Sequence, residues 1–142
     1  MPNFAAKYSS EYLTPDQMAS ALTALPTVLL ELFGECTFTA YYGWGANLHS
    51  DLCYVPMRVQ TSVMPYFIED SVNQHIIVPG QCDLAFKSPQ NELELLYCHE
   101  GDIHVDGGGE DLMQRFMAAE PFSKMRFYSQ AELYSLYPDH QH

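Results

Sequence analysis

The chain has 142 residues, a length that fits one domain and not two. Its composition, 47% apolar and 17% charged, provides for a packed core and argues against intrinsic disorder. Six Lys and Arg against 18 Asp and Glu leave a net charge of −12. That balance argues against a sequence-independent nucleic-acid binder and against docking on anionic lipid, both of which need basic side chains. No apolar run approaches the roughly 20 residues of a membrane span. Met1 to Lys7 lacks the apolar stretch of a signal peptide. Cys36, Cys53, Cys82 and Cys98 stand 17, 29 and 16 residues apart with no C-x-x-C, as expected of buried thiols in a reducing compartment. A cytoplasmic location is the expectation.

The first structural signal is Thr14-Pro15-Asp16-Gln17. Thr14 can cap a helix, Pro15 suits its first position, and Gln17 completes a capping box. Met18, Ala21, Leu22 and Leu25 follow at helical spacing. Pro26 is expected to break or kink the run, leaving 27–33 as a second short helical stretch ended by Gly34. Residues 36–44 read as a strand, and 43–50 as a loop around Trp44. Residues 52–60 read as extended, with Pro56 pushing them to a sheet edge. A short helix is expected near 66–74. Pro79-Gly80 marks a turn. Strands are predicted at 82–87, 92–99 and 102–106, the first two joined by the polar turn 88–91. Gly107 to Gly109 end the third. A helix over 110–119 opens with two acids, which suits the helix dipole. Residues 124–128 read as a last strand. Ser129 with Glu132 forms a second capping box, for a helix that Pro138 closes. This mixed order predicts an α+β domain, mostly antiparallel, with N-terminal helices and a helix after the 92–106 hairpin.

The segment 97–106, Tyr-Cys-His-Glu-Gly-Asp-Ile-His-Val-Asp, concentrates the available chemistry. With Glu100-Gly101 as a two-residue hairpin loop, His99 opposes Asp102, Cys98 opposes Ile103 and Tyr97 opposes His104. Leu96, Cys98, Ile103 and Val105 then form the core face. Tyr97, His99, Asp102, His104 and Asp106 form the other. Two histidines and a carboxylate on one surface suit a metal such as zinc or iron. If the chain instead runs straight through Gly101, His99 and His104 fall on opposite faces. Spacings of the H-E-x-x-H or zinc-finger kind are absent, and so are nucleophile-elbow and phosphate-loop motifs. The expectation is a non-catalytic protein with no cofactor and no metal. A metal-dependent enzyme or metal-binding domain built on His99, Asp102 and His104 stands as the alternative.

Charge placement carries more information than motifs. Between Lys87 and Arg115 there is no base, but Glu92, Glu94, Glu100, Asp102, Asp106, Glu110 and Asp111 are all acidic. Such density on one hairpin and the following helix start raises association rates with a basic partner. Ten Tyr, eight Phe and one Trp exceed what a small core hides completely. Tyr and Trp are favoured interface anchors. The residues expected to meet a partner are Glu100, Asp102, His104, Asp106, Glu110, Asp111, Trp44 and Tyr97.

A small, acidic, motif-poor α+β chain with the hairpin Cys98-His99-Glu100-Gly101-Asp102-Ile103-His104-Val105-Asp106-Gly107-Gly108 resembles the immunity proteins of bacterial polymorphic toxin systems. These include the partners of type VI secretion effectors and of contact-dependent inhibition toxins. The resemblance is to a class and covers the whole chain. It implies tight stoichiometric binding to a toxin domain, often a basic nuclease, without catalysis; the charge balance separately argues against nucleic-acid and membrane partners. A non-inhibitory interaction or accessory domain is the third alternative.

Overall fold

The first helix begins where its capping box places it. In the computed structural model, which describes residues 6–136, Thr14 Oγ1 accepts the Gln17 backbone N–H at 3.2 Å. The Gln17 side chain in turn accepts the Thr14 N–H at 2.8 Å. Helix α1 (Pro15–Phe33) then runs unbroken through Pro26 to the cap at Gly34. The expected break at Pro26 does not occur. Its ring is buried with Leu22, Leu25 and Leu29, and that packing outweighs the missing hydrogen bond.

Among the described residues, seven strands form one antiparallel sheet in the order β3-β2-β4-β5-β6-β1-β7. They are β1 (Tyr8–Ser10), β2 (Thr37–Tyr42), β3 (Met57–Gln60), β4 (Leu84–Lys87), β5 (Glu94–Tyr97), β6 (Ile103–Asp106) and β7 (Phe127–Ser129). The other helices are α2 (Met64–Asn73), α3 (Glu110–Ala118) and α4 (Gln130–Leu136). The α+β, antiparallel expectation holds, with most strands shorter at their ends than predicted and the last shifted from 124–128 to Phe127–Ser129 behind a 3-10 turn at Phe122–Lys124. Pro56 precedes the edge strand β3, as its missing N–H requires. Residues 52–56 are not strand: a 3-10 turn spans Ser50–Leu52. Strand β1 has no signature in the sequence, because Tyr-Ser-Ser carries no apolar alternation. It nevertheless fills the gap between β6 and β7. Ser129 and Glu132 make both capping-box hydrogen bonds of α4. Tyr137, Pro138, His140 and His142 lie outside the described residues.

Register separates two faces, because directly paired residues share one. The inner rows are Ala40, Phe86, Leu95 and Val105, then Tyr42, Leu84, Tyr97 and Ile103. Together with Met18, Leu22, Leu25 and Leu29 of α1, Ile68 of α2 and Phe116 of α3 they form the core. The outer rows are Tyr41, Ala85, Leu96, His104 and Ser9, then Thr39, Lys87, Glu94 and Asp106.

The β4–β5 and β6–α3 connections meet at Gly107. Its φ of 125° is a conformation that side chains disfavour, and an added Cβ would lie 2.4 Å from the Glu92 carbonyl oxygen. Gly107→Ala should lower unfolding free energy by about 2–3 kcal/mol, the scale of enforced backbone strain. Urea denaturation measures it. A loss under about 0.5 kcal/mol would show that this junction yields freely.

Candidate functional site

The β5–β6 hairpin sets the chemistry of the outer face. The Cys98 N–H donates to the Asp102 carbonyl at 2.9 Å, and the Gly101 N–H donates to the Cys98 carbonyl at 3.0 Å. Gly101 has φ 94°. This is a three-residue loop, His99 to Gly101, with glycine at the left-handed position. The expected two-residue loop needs positive φ at Glu100 as well as Gly101, which a glutamate resists. The correction is one residue, and on one strand it inverts every side chain. Tyr97 opposes Ile103 and Leu96 opposes His104, instead of Cys98 with Ile103 and Tyr97 with His104.

Tyr97 therefore belongs to the core and cannot meet a partner. It is 2% exposed, and its hydroxyl donates to the Ala21 carbonyl of α1 at 2.9 Å. Leu96 takes its place on the outer face. Cys98 moves from the expected core face to the outer face, opposite Asp102, where covering loops leave it 0% exposed. Burial pushes its thiol strongly up, and this argues against a cysteine nucleophile.

Two histidine–carboxylate pairs flank that thiol. His104 Nε2 lies 3.1 Å from Asp102 Oδ2. His99 Nδ1 lies 2.8 Å from Asp83 Oδ1, which also accepts the His99 backbone N–H at 2.7 Å. The two histidines thus take different carboxylates, not the shared one that the two-residue loop implied. Asp83, in the segment before β4, carried no signal in the sequence. Its side chain is only 3% exposed, and its second oxygen has no hydrogen bond.

A loop from β2 closes over this corner. Trp44 lies on the His99 ring at a centroid distance of 4.3 Å and is 59% exposed. Its carbonyl accepts the Asp83 N–H at 2.8 Å. Tyr54 sits at φ 63°, an unusual conformation for a bulky residue. Its ring reaches Gly43, where an added Cβ would stand 3.2 Å from the ring and 2.9 Å from Asp83 Cβ. Leu52, Tyr54 and Val55 of the same loop are also exposed. Beside them opens a cleft of about 410 Å³, with Tyr41, Tyr54, Asp83, Leu96, His104 and Asp106 among its walls. Among the described residues its one rim cation, Lys87, is paired with Glu94 at 3.4 Å.

The acidic segment is divided by the fold. Glu100 and Asp102 sit at the hairpin tip. Asp106 lies on the outer face at the far end of β6. Glu110 and Asp111 open α3 on the helical side. Gln114 and then Tyr8 donate to the Glu110 carboxylate and hold its pKa below the ordinary range. Asp111 stands 3.8 Å from Arg115. The predicted partner-binding acids therefore do not form one patch: Glu100, Asp102, His104 and Asp106 belong to the outer side with Trp44, and Glu110 and Asp111 do not.

No helix among the described residues is long and apolar enough to cross a membrane. No family model, curated protein or solved structure matches the chain.

Proposed function

We propose that this chain is an acidic binding protein that neutralises a cognate bacterial toxin domain by stoichiometric contact. The observation that carries the reading is the outer-face cleft beside the exposed Trp44. Tyr41 and Tyr54 supply aromatic faces, and Asp106 supplies a carboxylate. Aromatic faces and carboxylates together suit a guanidinium or ammonium group of a basic partner. Trp44, Leu52, Tyr54 and Val55 of the β2–β3 loop offer exposed apolar area, with Tyr54 in the cleft wall itself, and Glu100 adds charge at the hairpin tip. A net charge of −12 speeds approach of a basic domain. The resemblance of the chain to immunity proteins points to a toxin as that domain.

Tagged protein expressed in its native strain should capture one basic domain at a one-to-one ratio, with affinity falling as salt rises. Expressed alone in a susceptible host, the captured domain should arrest growth, and co-expression of this chain should restore it. Capture without growth arrest would favour an accessory role. Capture of no basic domain would remove the reading.

A further inference from the structure

The three-residue hairpin loop brings Cys98 and Asp102 opposite each other, with His104 two residues beyond. One donor atom from each of the three lies within 4.8 Å of the other two. Both ring nitrogens of His104 lack a hydrogen bond, and so does Asp102 Oδ1. The His104 side chain is only 9% exposed. A buried imidazole with two idle nitrogens is costly unless something else satisfies it. The 3.1 Å contact to Asp102 Oδ2 is an ion-pair distance without the alignment of a hydrogen bond.

We infer that Cys98, Asp102 and His104 form a transition-metal site, with zinc as the ion that best fits the donors. Thiolate, imidazole and carboxylate are its usual protein ligands. Nitrogen and oxygen donors about 2.0–2.1 Å from a tetrahedral zinc stand roughly 3.3 Å apart. The His104 Nε2 to Asp102 Oδ2 separation of 3.1 Å is already close to that edge. Cys98 Sγ needs only a side-chain adjustment to complete the triangle. On binding, the thiol proton leaves to solvent and the sulfur bonds the metal. The fourth position is left to water or an incoming group.

The neighbouring trio of Asp83, Cys98 and His99 is the weaker competitor for the same sulfur. Asp83 Oδ1 already receives both the ring and the backbone nitrogen of His99. Those bonds would have to break before either residue could turn to a metal. His104 and Asp102 have no such bonds to lose. The metal would tie both arms of the hairpin at its tip, directly behind the Trp44–His99 stack. The site stands on geometry alone and does not depend on the identity of any partner.

The test is cobalt(II) titration of the metal-stripped, folded protein. Wild type should develop a thiolate-to-cobalt charge-transfer band that saturates at one ion per chain. Zinc should displace it. Zinc at about 100 times its Kd should raise the melting temperature by roughly 10 °C. Cys98→Ser should abolish the band, and Cys53→Ser should retain it. Asp102→Asn, nearly the same shape, and His104→Ala should each weaken affinity at least tenfold. Circular dichroism confirms that each variant is folded. Absence of the band in folded wild type overturns the proposal. So does a band that survives Cys98→Ser, or an affinity unchanged in both Asp102→Asn and His104→Ala.

Discussion

Trp44→Ala should weaken binding to the basic partner by about 2–4 kcal/mol, roughly 30- to 700-fold in Kd. The indole has the attributes of a central anchor. It is large, 59% exposed before binding, and held in place by the His99 ring beneath it. An anchor already fixed in its bound position loses little side-chain entropy on association. The exposed Leu52, Tyr54 and Val55 of the same loop add apolar area that can exclude water from the contact. The fold should be unaffected, because no core residue packs on the exposed part of the ring. Isothermal titration of the partner with wild type and variant, beside a thermal melt of each, reads both quantities. A change below threefold would move the interface off this loop.

Asp83→Ala should cost about 1.5–3 kcal/mol of folding stability, the range for hydrogen bonds to a charged group. Asp83 Oδ1 receives two hydrogen bonds, from the His99 ring at 2.8 Å and from its backbone at 2.7 Å. Removing the carboxylate leaves both the backbone and the ring nitrogen of His99 without their partner. For a chain of this length the midpoint should fall by about 5–10 °C. Calorimetry gives the number. A loss under 1 kcal/mol would mean that desolvation of Asp83 nearly cancels its bonds. The same variant should loosen Trp44, since the indole rests on the ring that Asp83 holds. Fluorescence quenching of the single tryptophan by acrylamide should therefore increase.

Local rules made much of the fold legible. Two capping boxes, at Thr14 and Ser129, place the starts of α1 and α4 to the residue. Pro79-Gly80 forms its turn, with the Gln81 N–H donating to the Val78 carbonyl at 2.9 Å and Gly80 at φ 83°. What failed was whatever depended on tertiary context. Pro26 stays inside α1 because the core holds it there, and no local signal reports that. The hairpin register hung on whether Glu100 could adopt a left-handed backbone, and a single residue of slip exchanged Tyr97 for Leu96 on the outer face. The histidine–carboxylate chemistry expected of the hairpin is present, yet its partners are redistributed. Asp83, 16 residues before His99, is joined to it only by the β4–β5 pairing. Charge density along the sequence misled for a related reason. Asp106 and Glu110 are four residues apart but lie on opposite sides of the sheet.

The place of β1 bears on how this chain is made. Tyr8 pairs with Val105 on one side and with Ser129 on the other, so this strand is wedged between two that follow it far along the chain. While the ribosome is still translating, β2 through β5 and α1 can assemble, but Tyr8 to Ser10 have no strand to join. Closing such distant pairs comes late and slowly, because chain entropy must be overcome before the contacts form. Until then β6 emerges with an open edge, the state in which a nascent chain is most exposed to wrong pairing. The two buried serines of β1 make it a poor aggregation seed during that wait. A segment too polar to be read as a strand is thus suited to being the last one inserted.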